Sequence, residues 1–242
     1  MTVPVFLTPA LPGLDRYVLD GPEGRHAAAV RRIRAGERVD LTDGLGGVAE
    51  CVAESAGKDS LTLRVLGRRS VPAPEPRLIV VQGLPKGDRG ELAVEMMTEV
   101  GVDVIVPWAA ARSVTQWKGD RAAKSLARWR ATAREAGKQA RRFHLPEVAE
   151  QATTAQVAGL LEQAALGVVL HEEAAEPLSG LTMPAKGDIV VVVGPEGGVA
   201  DDEIARFRAA GATPALLGST ILRTSTAGLA AAAVLLTKTR RW

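Results

Sequence analysis

Three short clusters of glycine and polar residues lie at the ends of apolar runs, and their residue types suit the binding of a small ligand by the backbone. They occupy residues 170–173, 194–198 and 217–226. Glycine lets the chain approach a ligand closely and adopt a positive φ, and Pro195 stiffens the middle cluster. Backbone N–H and C=O groups held in this way can recognise the edge of a purine. One glycine-rich turn alone is equally typical of an ordinary connection, so the prediction depends on all three clusters.

The motifs of several common sites are absent from the sequence. It contains no G-x-x-x-x-G-K-[ST], no G-x-G-x-x-G after the first strand of the predicted α/β domain and no G-x-S-x-G. Their absence argues against a P-loop ATPase, a dinucleotide-binding domain and an α/β-hydrolase. The single cysteine, Cys51, excludes a disulfide framework, and the wide separation of His26, His144 and His171 argues against a metal site.

Residues 73–242 alternate continuous apolar runs with helical patterns. The apolar runs lie at residues 78–81, 104–106, 167–170, 189–193 and 215–217. The helical patterns lie at residues 88–100, 120–142, 154–165, 200–210 and 225–238. Fully apolar strands that alternate with helices are typical of a parallel sheet covered on both faces. Ligands of such α/β sheets bind at the carboxyl ends of the strands, which is where the three clusters are expected.

Residues 1–72 show a different pattern of apolar residues. Their apolar segments are short and alternating, and turn signals such as the glycine-rich stretch at 43–47 separate them. This pattern predicts a small β-rich domain. Prolines at positions 72, 74 and 76 form a stiff linker. We therefore predict two domains, a β-rich domain over residues 1–72 and an α/β domain over residues 73–242.

One segment carries most of the positive charge. Residues 112–142 contain ten basic and two acidic residues, although the whole chain has a formal net charge of +2. Helical spacing places Leu126, Trp129, Ala133 and Ala140 on an apolar face, with the basic side chains, Lys138 among them, directed outward. Exposed helix faces usually mix charges of both signs, so this surface is predicted to bind a polyanion. An ordinary solvated surface is the alternative.

Other features narrow the class of protein. No apolar stretch approaches the length of a membrane span, and the N-terminus lacks the basic region and apolar core of a secretory signal. We therefore expect a cytoplasmic protein with no membrane partner. Aromatic residues make up only 3% of the chain, which argues against an aromatic platform for stacking RNA bases.

Longer motifs resemble a known family. GPEGG after a valine run, LGSTILRTSTA near the C-terminus and LHEEA before both resemble the RsmE family. Its members are SPOUT-class methyltransferases that act on N3 of a uridine in 16S ribosomal RNA. The stretches GRHAAAVRRIRAGERVDLTDGLG, LPKGDRGELAVEMMTEVGVDVIVPWAAARSVTQWKG and RWRATAREAGKQARRFHLPEV are similar to the same family. The resemblance thus spans nearly the whole chain.

The resemblance implies a PUA-like RNA-binding β-barrel followed by a SPOUT α/β domain with a deep trefoil knot. It also implies a homodimer, 16S rRNA of the small ribosomal subunit as substrate, no metal, and S-adenosylmethionine held by the knot loops. On this basis the cofactor-binding residues are Leu170, His171, Glu172, Gly194, Pro195, Glu196, Gly197, Gly198, Leu217, Gly218, Ile221, Leu222 and Thr226.

The chemistry of methyl transfer suggests roles for charged residues. As uracil N3 loses its proton, negative charge spreads onto O2 and O4, and a preorganised cation stabilises it. Arg223 is the first candidate for that cation, and a phosphate contact or an interface salt bridge is its alternative role. The base is Glu196 or a water, although we favour a loop-shaping role for Glu196. We also expect His171 to shape the backbone rather than to catalyse.

The candidates for RNA binding are basic and polar residues of the same regions, with an ordinary solvated side chain as the alternative for each. They are Lys86, Arg112, Arg134, Lys138, Gln139, Arg141 and Arg142, with Ser113 beside Arg112. A place in a dimer site is a further alternative for Arg134, Gln139 and Arg142.

The sequence departs from the family pattern in four places. Thr220 and Ser225 stand where an arginine and a glutamate are common, and Ala140-Arg141 replaces a serine-glycine pair. The N-terminal basic residue of many members is missing from residues 3–6. The roles of those charged residues are therefore not carried over to this chain.

Two other functions stay open. One is a non-catalytic ribosome-assembly factor that only binds RNA. The other is a SPOUT methyltransferase that acts on a ribose 2′-hydroxyl or a tRNA base, and the predicted PUA-like domain together with LPKGDRGELAVEMMTEVG argues against it. Binding of S-adenosylmethionine discriminates against the first alternative, and analysis of 3-methyluridine in rRNA discriminates against the second.

Overall fold

The computed structural model describes residues 3–242, which form two compact units with separate hydrophobic cores. The N-terminal unit contains the chain up to Ala73 together with Gly137–Leu145. The C-terminal unit contains Pro74–Ala136 and Pro146–Trp242. The chain therefore leaves the N-terminal unit and returns to it for the nine residues Gly137–Leu145.

The N-terminal unit is built on a five-stranded mixed sheet. Its strands are β1 (Val5–Leu7), β2 (Arg16–Leu19), β3 (Arg38–Thr42), β4 (Gly47–Ala56) and β5 (Leu61–Ser70), in the order β1-β3-β4-β5-β2. The β1–β3 pair is parallel and the other pairs are antiparallel. A short helix, α1 (Gly21–Arg25), follows β2. Two register shifts in the β4–β5 pair bend the sheet.

The segment Gly137–Leu145 adds hydrogen bonds to the turn between β3 and β4. Gly46 N donates to Phe143 O at 2.8 Å, and Leu145 N donates to Gly44 O at 2.9 Å. Gly46 has φ +97, and a Cβ built on it would lie 2.5 Å from the His144 ring. Only glycine therefore fits at this position.

The C-terminal unit is built on a six-stranded sheet in which every pair is parallel. Its strands are β6 (Arg77–Gly83), β7 (Val104–Trp108), β8 (Glu147–Val148), β9 (Leu166–Leu170), β10 (Asp188–Val193) and β11 (Thr213–Ala215), in the order β11-β9-β10-β6-β7-β8. The two central strands, β10 and β6, are the longest.

Five helices cover both faces of this sheet. They are α2 (Arg89–Val100), α3 (Asp120–Gln139), α4 (Thr154–Gln163), α5 (Asp201–Ala209) and α6 (Thr224–Thr237). Successive side chains of a strand point to opposite faces. Thus Leu78 and Val80 pack in a core with residues of α2, α3 and α6, whereas Ile79 and Val81 pack in a second core with residues of α4 and α5.

The predicted α/β fold with a parallel sheet is confirmed, with two differences in its strands. The strand predicted at residues 215–217 ends at Ala215, because Thr213 and Pro214 are the residues that pair with β9. The two-residue β8 produces no apolar run and was not predicted. The trefoil knot stays a prediction, since strand order and pairing do not define how the chain is threaded.

The basic helix α3 ends at Gln139, three residues before its predicted end. Arg141 N donates to Lys138 O and Arg142 N donates to Gly137 O. These two bonds form a Schellman motif, in which Arg141 has the left-handed φ of +55. The prediction of an apolar face is confirmed for the buried Leu126, Trp129 and Ala133. It is wrong for Ala140, which lies after the last helical turn and is exposed.

Candidate functional site

The three glycine-rich and polar clusters meet at one edge of the parallel sheet. They follow β9, β10 and β11, and the sheet order β11-β9-β10 makes these strands neighbours. Because the strands are parallel, their carboxyl ends lie at the same edge. A cavity of about 600 Å³ opens there. This volume lies within the range of about 300–1,000 Å³ that is usual for small-molecule sites.

Close backbone packing shapes the middle loop, residues 194–198. A Cβ on Gly83, the last residue of β6, would lie 2.6 Å from Pro195 N, so the loop crosses directly over the end of that strand. Gly198 N donates to Pro195 O at 2.9 Å and closes a tight turn. Gly198 has φ +72, a conformation that favours glycine. The loop conformation is therefore set by the sequence itself.

Contacts with residues outside the loop hold it in place. Glu196 Oε1 accepts a 3.1 Å hydrogen bond from Lys86 N. The Arg112 guanidinium donates to Gly197 O at 3.4 Å and to Val199 O at 3.3 Å. The Glu196 contact supports the loop-shaping role that we favoured over a role as catalytic base.

Thr224, the first residue of α6, joins two of the loops. Its buried hydroxyl donates to Gly194 O at 2.8 Å and accepts from Gln82 Nε2 at 2.9 Å. Gln82 Nε2 also donates to Gly83 O at 3.1 Å. The start of α6, the end of β10 and the end of β6 are thereby tied together. The cap position of α6 is Arg223, and no side chain caps the helix.

His171 shapes the turn after β9. Its Nδ1 accepts from Glu173 N at 3.2 Å, and its backbone N–H donates to Ala215 O at 3.1 Å. The imidazole is therefore engaged with its own loop, as the sequence analysis expects.

The third loop forms the open wall of the cavity. Ile221 is 84% exposed and Leu222 is 39% exposed, although both are large apolar residues. A Cβ on Gly218 would meet no atom within 4 Å. This loop therefore offers exposed apolar surface and open space beside the backbone.

Two arginines line the cavity. Arg223 lies at its edge beside the first turn of α6, and Arg89 lies at the start of α2. Arg223 was predicted from the sequence, whereas no motif marks Arg89.

Eleven of the thirteen residues proposed for the cofactor line the cavity, and Gly197 and Thr226 do not. Gly197 packs against Arg112, and the Thr226 hydroxyl donates to Arg223 O at 3.1 Å. The lining residues that the sequence analysis did not propose, apart from Arg89, are Val193, Val199, Leu216, Ser219, Thr220, Thr224 and Ala227.

The residues proposed for RNA binding are divided between the two units. Lys86, Arg112 and Arg134 belong to the C-terminal unit and are exposed. Gln139 and Arg141 are exposed in the N-terminal unit, whereas Arg142 is partly buried and its Nε donates to His144 O at 2.9 Å.

Lys138 does not face outward, so that prediction is wrong. It is 8% exposed, and its Nζ lies 2.6 Å from Glu23 Oε1 in a buried ion pair. The other carboxylate oxygen of Glu23 accepts from Leu7 N at 3.3 Å. Lys138 therefore stabilises the N-terminal unit instead of presenting its charge to solvent.

Neither a metal cluster nor a membrane-spanning helix is found in residues 3–242. Within them, no cluster of three or more histidine, cysteine, aspartate or glutamate side chains is arranged to hold a metal ion. No helix in this part of the chain has the length and apolar character to cross a membrane.

Comparisons with family models cover both units. The model of an RNA methyltransferase domain matches residues 72–236, and the model of an RNA methyltransferase PUA domain matches residues 19–66.

Three individual proteins align with this chain over almost their whole length. Ribosomal RNA small subunit methyltransferase E of Mycobacterium tuberculosis is 46% identical over 247 aligned residues, which cover 100% of this chain and 94% of that protein. The crystal structure of the Neisseria gonorrhoeae ribosomal RNA small subunit methyltransferase E, bound to S-adenosyl methionine, has 28% identity and a TM-score of 0.82 over 98% of both chains. A Legionella pneumophila structure with the bound cofactor SAM has 26% identity and a TM-score of 0.85 over 99% of both chains.

Proposed function

Because the chain belongs to the family of ribosomal RNA small subunit methyltransferase E, we propose that it transfers a methyl group from S-adenosylmethionine to N3 of one uridine in 16S rRNA. The family resemblance stated from the sequence is thereby confirmed. The observation that carries the proposal is the cavity at the carboxyl ends of β9, β10 and β11, most of whose lining comes from the three motifs of that resemblance. The volume of this cavity and the groups that line it decide whether S-adenosylmethionine fits.

The cavity fits S-adenosylmethionine in volume and in the groups that line it. Leu170, Leu217 and Leu222 offer apolar surface for a flat heterocycle. Backbone groups of residues 217–221 make no other hydrogen bond within the described part of the chain and are available to its edge, and the open space beside Gly218 leaves room for it. When bound, the cofactor supplies a methyl group on a positively charged sulfur.

Positioning is the main task of the protein in this reaction. The carbon–sulfur bond breaks as the N3–carbon bond forms, so N3 must lie in line behind the methyl group. In a duplex N3 faces its pairing partner, and the uracil must therefore be unpaired or flipped out. The hydrogen bonds of Thr224 to Gly194 and Gln82 fix the loops around the place where these groups meet.

Arg223 is our candidate for stabilising the transition state. Its side chain has no hydrogen bond or ion pair with other residues in the described part of the chain, and it lines the cavity. A guanidinium at this position can donate to O2 or O4 of the uracil as N3 loses its proton. That proton passes to water or to Glu196, and the bond from Lys86 N to Glu196 favours water.

RNA is held by exposed cations in our proposal. Lys86, Arg112 and Arg134 of the C-terminal unit and Arg141 of the N-terminal unit contact phosphates, while Gln139 and Arg142 are further candidates. Lys138 is not among them, because it is buried in the ion pair with Glu23. The ribosomal substrate places the reaction in the cytoplasm.

A homodimer is also part of the proposal. Helix α6 is apolar on all sides, yet Leu229, Ala230, Ala233 and Val234 are only partly buried in the single chain. Helices that are apolar all round are usually buried on all sides, and a second copy packed on this face would complete the burial. Light scattering of the purified protein measures the mass, which equals twice 25.4 kDa if this proposal holds.

Methylation of purified small subunits tests the proposed function. Wild-type protein and Arg223→Ala are incubated with subunits from a strain that lacks this activity, and the modified nucleoside is identified. We expect 3-methyluridine with the wild type, and loss of turnover with largely retained cofactor binding for Arg223→Ala. A different methylated nucleoside contradicts the proposed position, and equal turnover removes Arg223 from the chemistry.

A further inference from the structure

A second cavity, of about 310 Å³, opens in the C-terminal unit where β7 ends. The chain that follows β7 supplies most of its wall, including Ser113, Gln116, Trp117 and Lys118, and Gln151 adds a side chain from the segment before α4. It shares no lining residue with the first cavity. Its volume is at the lower end of the usual range for small-molecule sites, about 300–1,000 Å³.

Ser113 gives this cavity an unpaired polar group. The residue is 9% exposed, and its Oγ is shielded and makes no hydrogen bond with any described residue. Its backbone N–H is already used, because it donates to Ala110 O at 3.0 Å. Buried hydroxyl groups without a partner are uncommon and cost stability. A ligand with a polar edge in the cavity would satisfy this hydroxyl.

The wall around Ser113 is rigidly held. Ala109 N donates to Ala152 O at 3.0 Å, and Ala111 N donates to Glu203 Oε1 at 2.9 Å. Glu203 is 3% exposed, and the Thr154 hydroxyl donates to the same oxygen at 2.9 Å. The cavity is thus formed before any ligand binds, which lowers the cost of binding.

The lining groups indicate the chemical class of the ligand. The Ser113 hydroxyl and the amides of Gln116 and Gln151 supply both donors and acceptors, as the edge of a nucleobase requires. Trp117 adds aromatic surface, and its ring is fixed edge-to-face against Trp129 with centroids 5.0 Å apart. Exposed Lys118 adds a positive charge for a phosphate. An apolar ligand would leave Ser113 unpaired.

The second cavity lies close to the proposed cofactor site. Strand β7 pairs with β6, and β6 pairs with β10, so the ends of β7 and β10 are two strand spacings, about 10 Å, apart. Arg112 connects the two regions, because it precedes Ser113 and donates to Gly197 O and Val199 O. A nucleotide next to the methylated uridine can therefore reach this cavity.

We propose that the second cavity binds an unpaired nucleobase of the substrate RNA that neighbours the target uridine, with Ser113 as a hydrogen-bonding partner. This inference rests on the proposed function. It makes Ser113 and Gln151 determinants of sequence specificity, at a site separate from the one where the methyl group is transferred.

Steady-state methylation of purified small subunits tests this proposal. We expect Ser113→Ala to raise the KM for subunits about fivefold, the effect of one lost hydrogen bond. Ala109→Trp, which adds an indole at an exposed residue of the cavity lining, should raise it further. Neither variant should change the dissociation constant of S-adenosylmethionine. Ala205→Trp, on the exposed face of α5, is the control for adding an indole and should match the wild type.

The proposal is overturned if Ser113→Ala or Ala109→Trp keeps the wild-type KM. Methyl transfer by the wild type tests the proposed function separately, because it does not depend on the variants. If the wild type transfers no methyl group, the same variants are compared by filter binding of 16S rRNA. Equal RNA affinity of Ser113→Ala and wild type then overturns this inference as well.

Discussion

The Thr224 hydroxyl donates a 2.8 Å hydrogen bond to the carbonyl oxygen of Gly194, thirty residues earlier in the chain. This bond joins the first turn of α6, next to Arg223, with the loop that follows β10. The same hydroxyl accepts from Gln82, which is completely buried in β6. The proposed cofactor loops and the proposed catalytic arginine are therefore positioned by one buried side chain.

Replacement of Thr224 should weaken cofactor binding. Thr224→Val keeps the shape but leaves Gly194 O and Gln82 Nε2 without this partner, so we expect a loss of about 1–3 kcal/mol in stability. We also expect about tenfold weaker binding of S-adenosylmethionine by calorimetry. Thr226→Val is the matched control, because its hydroxyl is exposed and donates only to Arg223 O. Equal affinities of the two variants would show that the Thr224 bonds do not position the site.

Gly83 should not tolerate a side chain. In Gly83→Ala the new Cβ lies 2.6 Å from Pro195 N, so the loop must shift. We expect a loss of about 1–3 kcal/mol, typical of an overpacked site, together with weaker cofactor binding. In contrast, Gly159→Ala in α4 meets no atom within 4 Å and should gain about 0.5–1 kcal/mol from helix propensity. Chemical unfolding measures both, and a neutral Gly83→Ala would contradict the close approach.

Arg141 combines an unfavourable backbone conformation with an exposed charge. It has φ +55 at the position after α3 where glycine is preferred. We expect Arg141→Gly to gain about 0.5–1 kcal/mol in stability. We also expect it to bind rRNA more weakly, because one phosphate contact is lost. The slope of the logarithm of the binding constant against the logarithm of the salt concentration should then fall in magnitude by about one. Arg141→Lys keeps the charge and the strain, so it should resemble the wild type in both measurements. Unchanged salt dependence in Arg141→Gly would remove this residue from the RNA contacts.

Cys51 should be unreactive in the folded protein. Burial, and secondarily the charge of Asp40, raise the pKa of its thiol from 9.0 to about 11. The thiolate fraction near pH 8 is therefore about a hundredfold lower than in the unfolded chain, and thiol reagents should react slowly until urea is added. Rapid reaction of the native protein would contradict the burial of this side chain.

The same pKa predicts a pH-dependent contribution to stability. The folded state keeps the thiol proton more tightly than the unfolded state does. The contribution is fully present below pH 9.0 and is lost as the pH rises through about 11. The difference in unfolding free energy between wild type and Cys51→Ala should therefore shrink over this interval. A constant difference would show that the thiol titrates normally in the folded protein.

The parallel sheet and the positions of its ligand loops were predictable because they depend on local pattern. The valine run of β10 and the GPEGG motif after it are contiguous in the chain. The partners of individual side chains were not predictable. Gln82 contacts Thr224 across 142 positions, and Lys138 contacts Glu23 across 115 positions. Helical spacing predicted that Lys138 faces solvent. The prediction was wrong because spacing carries no information about a carboxylate that is distant in the sequence.

The clearest test of the central claim is calorimetric titration of S-adenosylmethionine into wild type, Gly218→Trp and Gly13→Trp. Neither glycine has an atom within 4 Å of its built Cβ, so both variants should fold. Gly218 lines the cavity of three loops, and Gly13 lies in the N-terminal unit. We predict saturable binding to wild type and Gly13→Trp, and none to Gly218→Trp. Wild-type affinity in Gly218→Trp would contradict the assignment of this cavity to the methyl donor.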